Sequence, residues 1–572
     1  MGIFRQLSER NLIHLLIVLL GAILFSGLNG KLHLFDWDEI NFAESAREML
    51  ITGNYSTVQI NYAPFWEKPP LFIWMQAASM HLFGINAFAA RFPNTIAGII
   101  TLLFLFEAGR RHFGIRMGKI LVMAYAGSFL PFFYFKSGII DPWFNLFIFG
   151  SLYCLILYTR EGKQNSQTAT TGGILLGLAI LTKGPAAVVI TGLSVLGYLI
   201  HLRFKTAIRL KDVAVYVLAT LLTGGSWFLL MLATGNQSVV ADFIHYQIVL
   251  FTTEDAGHGG FLMYHFVIVL LGVFPASVFV LASLIKRPTT TPIQRHFFVW
   301  NAIILFTVLA LFTIVKTKIV HYSSMAYFPM AIMAALYIDQ IIEQGKRFPA
   351  WLIRASGLMV GLYAIVLVAV SLTDVLKPWL LSTQFISDPF TIGNLEADGG
   401  WTRFEWLVSL LLVAGWLLFR FYNKQSKPEA AVRSLFASSI GFMFLAMVWI
   451  APLVERYTQQ AVIEFCRQVA DEKGYVNTLG HKSYAIYFYA DRQPPGIPSH
   501  FDLNEAVEVP GNRPLYFIIK NKRKEQYLDQ YPALETLYEK NGFVFVKYNP
   551  VLYKPYSIVT ISDTFTIDFG IK

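Results

Sequence analysis

Phe35-Asp36-Trp37-Asp38-Glu39-Ile40-Asn41-Phe42-Ala43-Glu44-Ser45-Ala46-Arg47-Glu48-Met49-Leu50 stands directly after the first long apolar run of the chain and holds five carboxylates. A charge in hydrocarbon is costly unless it is paired or hydrated. So much acid beside an apolar run therefore marks a wet segment at the membrane edge, and we read it as the lip of an active site. From Asp38 the spacing predicts a short amphipathic helix lying along the interface. Phe42, Ala46, Met49 and Leu50 share one face, and Glu44, Arg47 and Glu48 lie largely off it.

The surroundings of that stretch exclude a soluble protein. Of 572 residues 55% are hydrophobic and only 14% charged, with a mean hydropathy of +0.51, which defines a polytopic membrane protein. The net charge of +10 is not a nucleic-acid signal, because most Lys and Arg fall in loops that the positive-inside rule assigns to the cytoplasm. Cys154 and Cys466 form neither a disulfide framework nor a metal motif. Arg5 and Arg10 precede an apolar run from Asn11 to Phe25 with no clear small-residue cleavage site after it, which reads as an uncleaved signal anchor.

A spanning helix needs about 20 apolar residues, and loop charge sets its direction. The first span leaves Arg5 and Arg10 inside and the acidic stretch outside. The basic loop Arg110 to Lys119 then requires an odd number of crossings, best met by Ala87 to Ala108, which leaves Leu71 to Phe83 as a juxtamembrane helix. Ile120 to Phe135 returns outward to Asp141-Pro142, and another helix descends from there to Arg160 and Lys163. Gly172 to Leu202 has cytoplasmic flanks on both sides, so it must be two crossings meeting at Lys183-Gly184-Pro185, where Gly-Pro breaks the helix. Asp212 to Thr234 crosses out to a loop from Gly235 to Gly260, Phe261 to Ile285 crosses in, and His296 to Val315 crosses out to Lys318-Ile319-Val320-His321-Tyr322. With four later spans the count reaches about 13. Beyond Glu455 an amphipathic Gln459 to Glu472 and strands at Tyr475 to Leu479, Leu515 to Ile519 and Phe543 to Tyr548 predict a small α/β domain with a core of its own. No internal repeat is visible, which weighs against an inverted-repeat transporter.

This topology puts Asp38, Glu67, Lys68, Asp141, Lys183, His258 and His321 on one side. Acids, bases and imidazoles at one wet mouth are what a catalytic site requires. Plainer roles exist for each. Asp38 and Asp141 both suit a helix N-cap, Glu67 and Lys68 a solvated Pro-rich turn, and the histidines interfacial hydrogen bonding.

Asp38-Glu39, Ala43-Glu44, Ala46-Arg47-Glu48-Met49, Glu67-Lys68-Pro69-Pro70, Asp141-Pro142, Leu181-Thr182-Lys183-Gly184 and Lys318-Ile319-Val320-His321-Tyr322 occur in an order that resembles the bacterial lipid-A aminoarabinose transferases. More broadly they resemble the protein O-mannosyltransferase superfamily, membrane glycosyltransferases of the GT-C class. The resemblance implies a sugar donor carried on a polyprenyl phosphate without a nucleotide, consistent with the lack of a P-loop or Rossmann fingerprint. It implies Asp38 as the catalytic aspartate and Asp141 as a second acidic position, with Lys68, Lys183 and Arg47 near the donor phosphate. Glu67, His258 and His321 would hold zinc, a reasonable ligand set, with His245 and His265 competing with His258.

The expectation is thus an α-helical polytopic GT-C protein in a bacterial inner membrane. Residues 1–453 form its transmembrane catalytic domain, with juxtamembrane helices in an outer loop over 30–86, and 454–572 form a periplasmic α/β domain. It would be an inverting glycosyltransferase acting on a lipid or protein acceptor among membrane lipids, with no nucleic-acid partner. A secondary transporter or lipid flippase is the alternative, and a non-catalytic scaffold would need neither Lys183 nor Asp141.

Overall fold

Eight helices among the described residues are long and apolar enough to cross a bilayer, or up to 11 spans if three sharply bent helix pairs each count as one. The computed structural model describes residues 8–160, 164–205, 208–252, 259–288, 290–383, 386–495 and 513–549. The expected 13 spans also counted Gly172 to Leu202 as two. That run is two helices, Ser166–Lys183 and Ala186–His201, with the break at Gly184-Pro185 and Gly184 at φ +94°. Ser166–Lys183 begins in polar residues and Ala186–His201 has only 16, so neither meets the same measure of length and apolarity.

Small residues let the spans approach closely, as membrane packing favours. The first helix, Glu9–Ser26, is capped by Ser8 and lies on Ala87–Phe113. A Cβ added at Gly98 would stand 2.8 Å from Phe25 and from Phe135.

Three expected straight crossings are bent. Ile115–Ala126 meets Phe129–Phe135 at 78°, Leu210–Gly224 meets Ser226–Ala233 at 49°, and Tyr264–Gly272 meets Ala276–Ile285 at 114°. Each break frees backbone groups that lipid cannot satisfy. Two of the breaks satisfy each other: Phe129 N–H donates to the Phe274 carbonyl at 3.2 Å, and the Ser128 hydroxyl donates to the Val273 carbonyl at 3.2 Å. Nothing in hydropathy marks such a mutual repair. The expected loop over 235–260 also carries a helix, Gln237–Thr252, with a mostly apolar sequence.

The acidic helix, Asp38–Thr52, is enclosed by protein on its polar as well as its apolar face. Glu39, Glu44, Arg47 and Glu48 are buried together with its apolar face. It is covered by Leu71–Phe83 and by the short helix Ala485–Phe488 of the C-terminal domain. That domain is a four-stranded sheet in the order Tyr475–Leu479, Leu515–Lys520, Phe543–Tyr548, Leu534–Lys540, with a parallel first pair and antiparallel others. Helix Gln460–Asp471 packs on it. One face of the sheet carries a core of the domain's own, with Tyr475, Phe517, Val544 and Val546, while on the other Ile40, Ala43, Ala46 and Met49 of the acidic helix join Ile463, Phe465, Tyr516 and Phe545 in one apolar cluster.

Candidate active site

The five carboxylates have separate fates. Asp36 accepts from the Ser483 hydroxyl and from Tyr484 N–H, anchoring the C-terminal domain. Glu39 takes both arms of the Arg91 guanidinium at 2.7 and 2.8 Å, and also accepts from Phe35 N–H and Gly138 N–H. Glu44 binds Arg47 through two bonds of 2.8 Å. Glu48 accepts from the backbone N–H of Asn61 and Tyr62. Four are therefore structural. Asp38 alone of the five makes no hydrogen bond among the described residues, and its side chain is 35% exposed. It does not cap its helix, because Trp37 occupies that position and makes no side-chain cap bond.

Arg91 is the residue that sets this frame, and the sequence reading overlooked it. Its five N–H donors meet Glu39 twice and the carbonyls of Asn29, Leu32 and His33, the last three at 2.7 Å. A guanidinium has only those five. One side chain thus ties the turn after the first helix, the start of the acidic helix and, through Glu39, the Gly138 linker that leads to Asp141. An arginine inside an apolar helix signals such a partner, and that signal was available.

Asp38 looks across to His321, whose Nε2 lies 3.6 Å from Asp38 Oδ2, beyond hydrogen-bonding distance. His321 is in a 3-10 turn, Val320–Ala326, that opens the buried helix Tyr327–Glu343. Lys318 before it donates to the carbonyls of Phe312, Thr313 and Val315, and so holds the turn to the end of helix Pro292–Ile314. Asp141 opens helix Asp141–Tyr158 with Pro142 behind it and makes no cap bond. Its carboxylate accepts from Lys183 Nζ at 2.7 Å and from Ser324 Oγ at 3.3 Å, and Asn145 steadies Ser324 at 2.8 Å. Lys183, at the broken helix end, also lies 5.5 Å from the centre of the Tyr322 ring. Asn145, Ser324 and Tyr322 are further site residues that the sequence reading missed, since they carry no spacing signal.

Two cavities meet here. One, of about 510 Å³, has mostly apolar walls that include Phe144, Val189, Phe243, Ile244, Ile248 and Phe312. The other, of about 480 Å³, is more polar and is lined by Asp38, Glu67, Tyr134, Tyr246 and His321. Lys68, Lys183 and Tyr322 line both. Among the described residues Lys68 has no carboxylate within ion-pair distance, and its ammonium stands 5.6 Å from the centre of the Tyr246 ring.

The structure thus gathers Asp38, Glu67, Lys68, Asp141, Lys183 and His321. It does not bring Arg47, which is 1% exposed, lines neither cavity and is held by Glu44, Asp491 and the Arg492 carbonyl. Its charge answers buried Glu44. His258 lies outside the described residues. Among the described residues no three metal-capable side chains converge on one point, and only Glu67 and His321 of the zinc set share a cavity. His265, a competitor, is fully buried against Tyr264 and Phe312, and neither of its ring nitrogens has a bonding partner among the described residues.

A bundle of spans carrying buried juxtamembrane helices and a small terminal sheet domain, with acids and lysines where the two meet, is the GT-C architecture. The resemblance read from the motifs holds up. The family model for dolichyl-phosphate-mannose-protein mannosyltransferase matches residues 67–227. The undecaprenyl phosphate-alpha-4-amino-4-deoxy-L-arabinose arabinosyl transferase of Edwardsiella ictaluri is 28% identical over 439 residues, 71% of this chain and 76% of that protein. Arabinosyl transferase 1 of Proteus mirabilis is 26% identical over 317 residues, 54% of this chain, so the match spans little more than half, 56%, of the relative's own length. The crystal structure of ArnT from Cupriavidus metallidurans bound to undecaprenyl phosphate superposes with a TM-score of 0.71 at 17% identity, covering 96% of this chain and all of the other.

Proposed function

We propose that this chain is a membrane glycosyltransferase of the GT-C class that moves a sugar, with inversion, from a polyprenyl phosphate to a hydroxyl of a lipid or protein acceptor. The observation that carries the reading is the shared wall. An apolar cavity suits a prenyl chain and a polar one suits sugar and acceptor, and two ammonium groups stand at the junction, where the linking phosphate would lie. The names of the relatives, which print undecaprenyl phosphate and a sugar, support it.

In the reaction, Asp38 takes the proton of the acceptor hydroxyl as its oxygen bonds to the anomeric carbon. The bond from that carbon to the phosphate oxygen breaks, and the electron pair leaves with the polyprenyl phosphate. Lys68 and Lys183 face the charge that then builds, in a site of low dielectric where fixed ammonium groups act strongly. Asp141 holds Lys183 in place. Inversion follows if attack and departure occupy opposite faces of the sugar. Zinc belongs to the proposal in one respect. Glu67 and His321 would supply two ligands and His258 a third, and the ion would add positive charge near the phosphate; no step above depends on it.

We place the site and the C-terminal domain on the periplasmic side of a bacterial inner membrane, a reading supported by the distribution of Lys and Arg among the loops. The purified protein should transfer sugar from a synthetic undecaprenyl-phosphate sugar to a membrane-extract acceptor, detected by mass spectrometry. A compartment-sensitive reporter fused after Lys572 should show the periplasmic signal, and cytoplasmic activity would reverse the arrangement.

A further inference from the structure

A third cavity, of about 400 Å³, shares no lining residue with the two already described and reaches the far end of helix Asp141–Tyr158 from Asp141. Helices Ala186–His201 and Leu210–Gly224 both pack on Ser166–Lys183, and the cavity lies between them. Val188 on one helix and Val213, Val217 and Leu221 on the other line it and are also exposed at the protein surface. It therefore opens sideways through an apolar face. Gly192 stands in the same wall, and a Cβ built on it meets nothing within 4 Å. No close approach requires that glycine; it widens the cavity.

The polar groups of the wall decide what can fill it. A buried water needs two to four polar partners, whereas an apolar cavity of about 150 Å³ already takes up benzene. Here Tyr158 donates to Asp212 at 2.9 Å, Tyr216 bonds Ser151 at 2.7 Å, Thr220 donates to the carbonyls of Gly173 and Tyr216, and the Trp300 indole N–H donates to Thr159 at 3.0 Å. Of the wall's polar side chains, Thr191 alone has a hydroxyl without a partner among the described residues. One hydroxyl does not hold water, so the wall calls for hydrocarbon. From Val188 to Leu199 it runs 11 residues along one helix, about 17 Å at 1.5 Å per residue. One leaflet's share of the hydrocarbon core is about 15 Å. The match is to a single acyl chain.

The end at Leu199 and Ile208 meets the turn between the two helices, where Arg203, Lys205, Arg209 and Lys211 are exposed. Phe204 and Leu210, interleaved with them, are exposed as well. Among the described residues none of the four cations has a carboxylate within ion-pair distance. Asp212, the acid of this segment, is 1% exposed and already accepts from the Tyr158 and Ser166 hydroxyls. Basic residues at a membrane surface attract anionic lipid, and apolar side chains among them hold the turn in the interface.

We propose that this cavity holds one acyl chain of an anionic glycerophospholipid, its phosphate lying among Arg203, Lys205, Arg209 and Lys211. The inner end of the chain lies against Ile180 and Val188, on either side of the Gly184-Pro185 break that presents Lys183, and so braces that break. The site does not depend on the transferase reading.

The test is native mass spectrometry of the full-length protein in detergent with phosphatidylglycerol and phosphatidylethanolamine of the same acyl chains at equal concentration. One phosphatidylglycerol should stay bound in preference to phosphatidylethanolamine and should raise the melting temperature. R209Q/K211Q should lower that preference about tenfold or more, since each basic residue near a membrane surface contributes roughly fivefold. Gly192→Phe, which fills the cavity with a ring, should remove both the retained lipid and its thermal effect; Gly192→Leu makes the same test with a smaller side chain should the first not fold. Lysophosphatidylglycerol, with one chain, should compete with phosphatidylglycerol, and glycerol 1-phosphate, with none, should not. Unchanged retention in Gly192→Leu, equal retention of the two lipids, or competition by glycerol 1-phosphate overturns the proposal. So does loss of undecaprenyl phosphate binding in Gly192→Leu, which would give the cavity to that carrier, or loss of a dimer, which would give it to a second copy of the chain.

Discussion

His321 Nε2 and Asp38 Oδ2 face each other at 3.6 Å, on elements more than 280 residues apart in sequence, with no hydrogen bond between them. The distance leaves the Asp38 carboxylate free to take a proton from a third group. Asp38→Asn should therefore keep the melting temperature, since Asp38 does not cap its helix, and should keep undecaprenyl phosphate binding. Transfer should fall by about 10²- to 10⁴-fold, the usual effect of losing a general base. Undiminished transfer would remove Asp38 from the chemistry. Unchanged movement of intact donor across vesicles, with no transfer by the unmodified protein, would favour a flippase.

Lys183 and Asp141 form a pair in which the carboxylate is 3% exposed. Removing one member strands the other charge, at a cost of about 3–5 kcal/mol. Lys183→Met should thus lower the thermal midpoint strongly, and K183M/D141N should recover much of it. Neither variant should regain transfer, because the ammonium beside the phosphate is gone. Recovery of both stability and rate in the double variant would make the pair purely structural.

Arg91 lies outside both cavities, yet its substitution should damage the protein severely. Lys offers one ammonium in place of a planar fork with five donors. Arg91→Lys should cost roughly 3 kcal/mol or more by leaving Glu39 incompletely paired in the interior, read as loss of folded protein in size-exclusion chromatography with a lowered melting point. A near-normal Arg91→Lys protein would show that the clamp is redundant.

Glu48 gives a dependence on pH. Burial first, and then the charge of Glu44, push its carboxyl up to about 8, against the pull of the Tyr62 N–H. The folded state then holds a proton that the unfolded chain releases near pH 4.5. Stability is full below that value and declines as the pH rises through about 8. Glu48→Gln should flatten the fall in melting temperature over this window. A flat profile in the unmodified protein would contradict the raised value.

Metal analysis of protein purified without chelators should find near-stoichiometric zinc, lowered by His321→Ala and by Glu67→Ala. Negligible metal in the unmodified protein would return both residues to hydrogen-bonding roles.

Length and charge rules located most helices because the bilayer demands them. Leu71 to Phe83 matches its helix at both ends, and the Gly184-Pro185 break falls as read. The bends at Gly127 and Pro275 escaped, since a crossing and a folded-back pair of helices share one composition and differ only in which backbone groups meet. Strand Leu534–Lys540 also went unseen, because most of its side chains are exposed and Leu537 and Tyr538 interrupt the alternation of an edge strand. In the site, side chains whose charge sits beside a break or a proline were legible, as with Asp141 and Lys183. Asp38 could not be told from its acidic neighbours by sequence, because the partners that make three of the other four structural come from Arg91, Ser483 and the turn at Asn61 and Tyr62. Arg47 misled for the same reason.

On the transferase reading proposed above, the wall that Lys68, Lys183 and Tyr322 share between an apolar and a polar cavity would give the protein two doors of different character. A carrier lipid would then arrive and depart by the apolar one while its partner used the polar one, so neither would wait for the other to clear a common passage. Inhibitors should divide along the same line. A greasy molecule lodged in the apolar chamber would compete with the carrier alone, whereas a polar one on the far side would compete with the acceptor, and the two could be bound at once.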